Sequence, residues 1–176
     1  RHVSWANAAA EARDIACHLD AMGLDAGAPV AVAAQNSLGS CLSFTGITYG
    51  GYMACMLNLV AGAKVLSYVI THSEVSLILV SDDHRALIEE AVATVDREIT
   101  LVRLDTEDGP QWPEGVVPAA SPKNVPSADT PGLLMYTSGT TGNPKGVVLS
   151  HKNLLSAGHN VVIGHGVTPA DTGLCV

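Results

Sequence analysis

The chain has 176 residues and few charges, with 17 Asp and Glu against 9 Lys and Arg and a formal net charge of −8. Charged residues make up 15% of the sequence, whereas about 25% is usual for a soluble domain. The acidic balance and the lack of a basic cluster argue against a surface that binds nucleic acid and against a patch that binds an anionic membrane. Any anionic ligand must therefore be held by a local arrangement of groups.

The missing charge is concentrated in residues 26–63, which contain no charged residue and no histidine. A membrane-spanning helix needs about 20 nearly continuous apolar residues, but polar residues such as Gln35, Asn36 and Asn58 interrupt this segment. We therefore predict no membrane span. The segment is typical of a protein interior that is covered on several sides.

The cysteine and histidine spacings do not indicate a metal site. Cys17, Cys41, Cys55 and Cys175 are widely separated and form no Cys-x-x-Cys pair, which favours buried free thiols in a reducing compartment, the cytoplasm, over a disulfide framework. The chain begins at Arg1 without a signal-peptide pattern and stops in an apolar run. We expect both ends to be cuts in a longer protein.

Periodicity predicts alternating helices and strands over the first 104 residues. Apolar residues at helical spacing predict a first helix that ends near Met22, because Gly23 supplies a stop. The continuous apolar run at residues 30–34 predicts a strand covered on both faces. A buried helix is then predicted from a cap at Asn36 and Ser37 to about Gly50, followed by a strand over 53–59 and a helix over 62–72. The next elements are a strand over 75–80, a helix capped by Ser81, Asp82 and Asp83, and a strand over 99–104. The apolar residues predicted on that last helix are Leu87, Ile88, Ala91 and Val95.

This alternation, with connections of a few residues, predicts an α/β fold with a mainly parallel sheet and helices on both faces. Layered strands and helices have little polar surface, which accounts for the missing charges. Residues 105–131 differ because six prolines crowd into them. They are predicted to be a surface excursion without regular elements, and a disordered linker is the alternative.

Apolar strands predicted at residues 132–136 and 146–149 flank a loop that is rich in hydroxyls and glycines. Gly139 and Gly142 let the backbone turn tightly and approach a ligand, so that successive backbone N–H groups can face one anion. Lys145 adds a mobile cation suited to phosphate. We predict a phosphate-binding loop, although a solvated turn can have the same composition. The loop residues are Thr137, Ser138, Gly139, Thr140, Thr141, Gly142, Asn143, Pro144 and Lys145.

The loop differs from the common nucleotide-binding loop G-x-x-x-x-G-K-[ST]. That pattern requires Gly where Pro144 stands and Ser or Thr where Gly146 stands, and it opens a helix. Here a strand is predicted after the loop. Kinase and GTPase chemistry are therefore disfavoured.

Residues 136–153, YTSGTTGNPKGVVLSHKN, resemble the signature of the adenylate-forming (AMP-binding) superfamily, which comprises acyl-CoA synthetases, adenylation domains of peptide synthetases, and luciferases. The resemblance extends back through residues 75–81, 49–58 and 27–36, although Ala28 and Pro29 depart from the usual Asp-Arg. By this resemblance, residues 1–176 are part of the large N-terminal domain: α/β layers over 1–104, the excursion over 105–131, and over 132–176 a strand, the loop 137–145, a strand and a helix.

The resemblance implies ATP-dependent activation of a carboxylic acid to an acyl-adenylate, with release of pyrophosphate, and then transfer to a thiol, usually that of coenzyme A. Residues 137–145 would hold the β- and γ-phosphates of ATP. Lys145 would act catalytically by balancing charge on the leaving pyrophosphate, and Thr137 would contact Mg²⁺ as in some members. The adenine, ribose and acyl sites and the C-terminal domain would lie beyond Val176, so we expect this chain alone to be inactive.

Alternatives to an acyl-CoA synthetase stay open at this point. Thr140, Asn58 and residues 148–151 favour a CoA ligase over an adenylation domain of a peptide synthetase. A non-catalytic fragment or homologue that keeps the loop for structure is the other alternative. His151 and Asn153 match the signature without needing a catalytic role, and Ser150 is predicted to cap the helix that starts at His151. We also expect exposed apolar surface on the isolated chain.

Overall fold

The computed structural model describes residues 2–137 and 143–172, which form alternating helices and strands. The helices are α1 (Trp5–Ala21), α2 (Leu38–Tyr49), α3 (Ala63–His72), α4 (Arg85–Val92) and α5 (His151–His165). The strands are β1 (Pro29–Ala33), β2 (Met53–Met56), β3 (Leu77–Val80), β4 (Thr100–Asp105), β5 (Gly109–Gln111), β6 (Pro131–Thr137) and β7 (Lys145–Ser150).

The described strands form one sheet in the order β5-β4-β3-β1-β2-β6-β7. Strands β1, β2, β3, β4 and β6 are parallel, whereas β5 and β7 pair antiparallel at the two edges. Helices lie on both faces of this sheet. The predicted fold class is therefore confirmed.

Strand β1 is buried on both faces, and it pairs with β2 on one side and β3 on the other. Because successive side chains of a strand face opposite sides, Val30 and Val32 enter one core, whereas Ala31 and Ala33 enter the other. The first core includes Ile15 and Leu19 of α1 and Leu42 and Ile47 of α2. The second includes Leu66, Val69 and Ile70 of α3 and Ile88 and Ala91 of α4.

The uncharged segment forms β1, α2 and β2, and α2 packs between α1 and the sheet. Ser37 caps α2 by accepting a hydrogen bond from the Ser40 amide at 3.1 Å. Inside the helix, the buried Ser43 hydroxyl donates to the Gly39 carbonyl at 2.7 Å. Short hydroxyl side chains can thus satisfy their polar groups on the helix's own backbone, which lets a helix without charges be buried as predicted.

Helices α1 and α2 are in close contact at Gly46. A Cβ atom at this position would lie 2.5 Å from Ile15 Cβ and 3.1 Å from the Ala12 carbonyl oxygen. Because Ile15 is buried and the Ala12 oxygen belongs to the backbone, neither can move without shifting α1. Glycine at position 46 therefore sets the separation of the two helices.

The excursion over residues 105–131 contains one regular element that was not predicted. Residues Gly109–Gln111 form β5, an edge strand antiparallel to β4. The chain then returns along α1, where Trp112 stacks on His18 with ring centroids 5.0 Å apart. Further along, the Ala119 amide donates to the Cys17 carbonyl at 3.2 Å. We call residues 112–126, which run from β5 towards β6, the strap.

A buried carboxylate on α1 fixes the strap. Asp20 is 3% exposed and accepts hydrogen bonds from the Tyr52 hydroxyl at 2.6 Å and from the Lys123 amide at 2.7 Å. The Lys123 ammonium group also donates to the Asp20 carbonyl at 3.2 Å. Burial and the neighbouring carboxylate raise the pKa of Tyr52, so its phenol remains a donor. Three separate parts of the chain therefore meet at Asp20.

One strand boundary and the start of one helix differ from the prediction. The strand predicted over residues 53–59 ends at Met56, and the Asn58 side chain then accepts from the Val60 amide at 3.2 Å to start a short 3₁₀ turn. A second 3₁₀ turn, Asp82–His84, precedes α4.

The predicted capping of α4 is wrong in detail. Ser81 makes no side-chain cap, and its hydroxyl is hydrogen-bonded to His84 Nδ1 at 3.0 Å. Helix α4 ends at Val92, so Val95 lies beyond it. The 3₁₀ turn between Ser81 and α4 separates the hydroxyl from the amides that it was expected to cap.

The thiols follow the prediction except at one position. Cys17, Cys41 and Cys55 are free, and burial raises the pKa of the Cys55 thiol to about 12. Cys41 is exposed, so its predicted burial is wrong: its side chain is on the solvent side of α2. Cys175 lies outside the described residues. No helix within residues 2–137 and 143–172 has the length and apolarity that crossing a membrane requires.

The Gly46 contact yields a stability test. We expect Gly46→Ala to lower the free energy of unfolding by about 1 to 3 kcal/mol, because the added methyl group overpacks the contact between α1 and α2. The matched control is Gly158→Ala in α5, where an added Cβ meets nothing within 4 Å and should stabilise by up to about 1 kcal/mol. Urea denaturation followed by circular dichroism measures both, and equal effects would contradict the assigned packing.

The strap yields a second test. Asp20→Ala leaves the buried Tyr52 hydroxyl and the partly buried Lys123 amide without their acceptor, and we expect a loss of about 2 to 4 kcal/mol. Asp14→Ala on the same helix removes an exposed carboxylate paired with His18 and should cost less than about 1 kcal/mol. Urea denaturation gives the loss, and Trp112 fluorescence reports release of the strap. A stable Asp20→Ala variant with unchanged emission would show that Asp20 does not fix the strap.

Candidate functional site

The predicted loop joins β6 to β7, and the two strands fix its ends. They pair antiparallel up to Tyr136 opposite Gly146 and Thr137 opposite Lys145. Thr137, Asn143 and Lys145 are exposed, and Pro144 is half-buried. The predicted site residues Ser138, Gly139, Thr140, Thr141 and Gly142 lie outside the described residues. The two ends of the predicted loop are thus brought face to face by the hairpin.

The loop lies at the carboxyl edge of the parallel sheet. Strand β6 runs parallel to β2, so the loop leaves the sheet at the edge where β1, β2 and β3 also end. In open α/β sheets, ligands bind outside the carboxyl ends of the strands, where the strand order reverses. That reversal occurs at β1, whose neighbours are β2 and β3. The predicted loop is therefore on the edge where a ligand site is expected.

The strands that carry the loop extend beyond the sheet. Strand β6 pairs with β2 only at Leu133 and Leu134, whereas its pairing with β7 continues to Thr137. Residues 135–137 and 145–147 therefore form a two-stranded ribbon, which we call the ribbon below. Met135 and Val147 on it are exposed. Two strands without further support are marginally stable, so the position of the loop ends depends on contacts other than sheet pairing.

One such contact joins the ribbon to α3. The Tyr136 hydroxyl is hydrogen-bonded to His72 Nδ1 at 2.8 Å, and the two rings meet edge to face with centroids 5.7 Å apart. Tyr68, one helical turn before His72, also stacks on the His72 ring, with centroids 5.6 Å apart. Burial raises the pKa of Tyr136 to about 12, so its phenol is protonated at neutral pH. Sequence patterns gave no signal for this contact.

The surroundings of Lys145 differ from those of two arginines. Arg103 is paired with Asp82 at 2.8 Å, and Arg85 with Glu89 at 2.9 Å. The Lys145 side chain forms no ion pair with any other residue in the described part of the chain. In a chain of net charge −8, an exposed ammonium group at the end of the ribbon is therefore available to an anionic ligand.

The end of the signature has a structural role at the start of α5. Ser150 accepts from the Asn153 amide at 3.3 Å, and the Asn153 side chain accepts from the Ser150 amide at 2.9 Å. This reciprocal capping box confirms the predicted cap at Ser150 and gives Asn153 a structural role at the start of α5. The His151 ring packs on Gly132, where a Cβ would lie 3.3 Å from it.

An open cleft of about 730 Å³ lies at the carboxyl edge, and the sequence analysis did not predict it. Polar residues follow the strands here, which is the signal that could have located it: Gln35 and Asn36 come after β1, Asn58 after β2 and His84 after β3. The cleft is lined by Ala34, Gln35, Asn36, Leu57, Asn58, Leu59, Val60 and His84.

The donors for a metal are sparse in the described part of the chain. No group of three or more His, Cys, Asp or Glu side chains is placed to hold a metal ion there. Thr137 offers one exposed hydroxyl. A single hydroxyl fits Mg²⁺ that arrives bound to substrate phosphates, since Mg²⁺ keeps most of its ligands as water and phosphate oxygens. It does not fit a resident metal cofactor.

Comparison with known proteins places these features in a family. The sequence model of the AMP-binding enzyme family matches residues 1–176. Sulfoacetate–CoA ligase of Cupriavidus necator is 37% identical over 153 residues, which cover 86% of this chain and 30% of that relative. Nonribosomal peptide synthetase 5 of Aspergillus fumigatus is 30% identical over 131 residues, which cover 73% of this chain and 6% of that relative.

A solved structure supports the same assignment. ATP-bound MatB from Rhodopseudomonas palustris superimposes with a TM-score of 0.78 at 30% identity, covering 96% of this chain and 34% of that chain. This chain spans about a third or less of the length of these three relatives. The family match over the whole sequence, the shared fold and the predicted phosphate loop at the carboxyl edge together show that this chain belongs to the AMP-binding enzyme family.

Proposed function

We propose that this chain is the N-terminal part of an acyl-CoA synthetase, an acid–thiol ligase that uses Mg·ATP to activate a carboxylic acid. One observation carries the proposal: the loop over residues 137–145 leaves β6 at the carboxyl edge, with Thr137 held opposite Lys145. Family membership over residues 1–176 supports it.

The first step is transfer of the adenylyl group. A carboxylate oxygen of the acid attacks the α-phosphorus of ATP, a new O–P bond forms, and the bond from the α-phosphorus to the bridging oxygen breaks to release pyrophosphate. Such chemistry depends on positioning and on charge stabilisation. Residues 137–145 would hold the β- and γ-phosphates, Lys145 would balance the charge of the leaving pyrophosphate, and the Thr137 hydroxyl would contact the Mg²⁺ of Mg·ATP.

The second step is transfer of the acyl group to a thiol. The sulfur attacks the carbonyl carbon of the acyl-adenylate, a thioester forms, and AMP leaves. Coenzyme A is the proposed acceptor, because Sulfoacetate–CoA ligase is 37% identical to this chain and Nonribosomal peptide synthetase 5 is 30% identical. A peptide-synthetase adenylation domain is the second candidate. We also propose a cytoplasmic location, because free thiols at Cys17, Cys41 and Cys55 suit a reducing compartment.

The proposal that the chain belongs to a longer enzyme is supported by its exposed apolar residues. Several exposed side chains of this kind lie on the ribbon, β7 and α5, and Val167 lies just beyond α5. Monomeric soluble proteins seldom expose large apolar patches. We propose that the C-terminal portion of the enzyme covers these residues and completes the adenine, ribose and acyl sites. The exposed residues are Met135, Val147, Val148, Leu155, Val161, Val162, Ile163 and Val167.

Replacement of the loop lysine tests the function. In the full-length enzyme, we expect Lys145→Ala to lower kcat/KM for carboxylate-dependent ATP–pyrophosphate exchange, with a loss of about 2 to 4 kcal/mol of transition-state stabilisation, because the ammonium group that balances the charge of the leaving pyrophosphate is removed. Lys152→Ala removes an exposed cation from the first turn of α5 and should keep wild-type exchange. Unchanged turnover in Lys145→Ala would remove Lys145 from the mechanism. A screen of sulfoacetate with aliphatic and aromatic acids would identify the substrate, and coenzyme A consumption would identify the acceptor.

The 176-residue chain by itself provides a second test. We expect it to bind a hydrophobic dye and to show no carboxylate-dependent exchange, because the patch is uncovered and most of the active site is missing. Val161→Asp combined with Ile163→Asp should reduce dye binding, since both side chains are exposed on α5. Exchange by the isolated chain, or failure of dye to bind, would contradict the proposal.

A further inference from the structure

We infer that His72 is a positioning residue for the phosphate loop: through its hydrogen bond to Tyr136 it ties the ribbon to α3 and holds Thr137 opposite Lys145. This inference rests on the proposed function, because it assigns a role to the ends of the loop that would bind ATP phosphates. His72 lies outside the signature, 64 residues from Tyr136 in the sequence.

The ribbon needs an attachment of this kind. Past Leu134 the only sheet partner of β6 in the described residues is β7, since β2 pairs with β6 at Leu133 and Leu134 alone. Tyr136 is one residue before Thr137 and lies opposite Gly146, so it belongs to the second-last rung of the hairpin. Whatever fixes Tyr136 therefore fixes the rung that carries Thr137 and Lys145.

The contact is rigid on the α3 side. His72 is the last residue of α3, and its ring contacts both Tyr68, one turn earlier on the same helix, and Tyr136. Helix α3 is anchored in the second core through Leu66, Val69 and Ile70, which are buried. The ribbon is thus attached to a firmly packed helix. The Tyr136 ring also packs over Gly146, whose missing Cβ would lie 3.6 Å from the ring.

A hydrogen bond is possible in both protonation states of His72. When Nδ1 carries no proton, the Tyr136 phenol donates to it; when Nδ1 carries a proton, in the neutral Nδ1–H tautomer or in the imidazolium ion, the Nδ1–H group donates to the phenol oxygen. Rigidity at this point matters for ATP binding. If only a fraction of the molecules has the loop ends in the arrangement that binds ATP, the apparent Kd is the intrinsic Kd divided by that fraction. Loosening the ribbon should therefore weaken ATP binding and leave saturated turnover nearly unchanged.

The test uses the full-length enzyme and variants that keep the aromatic rings. His72→Phe and Tyr136→Phe each remove one partner of the hydrogen bond, and we expect each to raise KM for ATP by about 2- to 10-fold, the usual worth of one such bond, with kcat changed by less than twofold. The double variant should be no worse than the single variants, because both remove the same contact. His72→Asn places a hydrogen-bonding group where Nδ1 lies and should restore KM.

Tyr68→Phe is the matched control, because it removes a hydroxyl from the other ring stacked on His72 and leaves the His72–Tyr136 bond in place. Its KM for ATP should equal that of the wild type. A purely structural role for His72 would lower apparent kcat through loss of active enzyme, with KM unchanged, and that result would overturn the inference. Additive effects in the double variant would also overturn it.

A measurement that does not need activity separates this inference from the proposed function. Amide hydrogen exchange in residues 135–137 and 145–147 should be faster in His72→Phe and Tyr136→Phe than in the wild type and in Tyr68→Phe. Unchanged exchange would refute the attachment. If the wild-type enzyme shows no carboxylate-dependent ATP–pyrophosphate exchange, the proposed function fails, and so does the assignment of the ribbon to ATP, even where the amide data confirm the attachment.

Discussion

The burial of β1 on both faces and along both edges is the constraint on which the rest of the fold depends. Its side chains alternate between two cores, so a charge at any of its buried positions would lose hydration without gaining a partner. Helices must then cover both faces, and crossover helices between strands produce parallel neighbours. Parallel strands end at a common edge. The place where a ligand can bind thus follows from the need to bury one uncharged strand.

That edge is built from two kinds of structure. The cleft between the ends of β1 and β2 is framed by strands that are paired on both sides. The two ends of the predicted phosphate loop, in contrast, lie on the ribbon, which extends past the pairing of β6 with β2. Residues at the end of such a ribbon need side-chain contacts to define their positions. The bond between His72 and Tyr136 is such a contact, since it transfers the rigidity of α3 to the ribbon.

The sequence predicted those features that depend on neighbouring residues. The strand at 30–34, the helix after Ser37 and the cap at Ser150 follow from local periodicity or turn chemistry, whereas phosphate binding by the loop over 137–145 stays a prediction. The sequence did not predict the long-range contacts. Tyr52 and Lys123 contact Asp20 across 32 and 103 residues, and His72 contacts Tyr136 across 64 residues. Nothing near these residues in the chain indicates their partners, because the topology selects them. Ser81 shows the same limit, since a 3₁₀ turn diverts a hydroxyl whose local pattern predicted a cap.

The acidity of the chain is compatible with phosphate binding because its charges act locally. Arg103 and Arg85 are paired with carboxylates, so they contribute little to a distant anion. Lys145 lies at the tip of an exposed ribbon, where water weakens its attraction for phosphate. Two unit charges 4 Å apart attract by about 1 kcal/mol in water and by about 4 kcal/mol near a protein surface. In the proposed enzyme, covering the apolar residues of the ribbon would therefore exclude water near Lys145 and strengthen its attraction for phosphate. In the proposed enzyme, the portion that covers the exposed apolar surface would therefore also make Lys145 an effective binding group for phosphate.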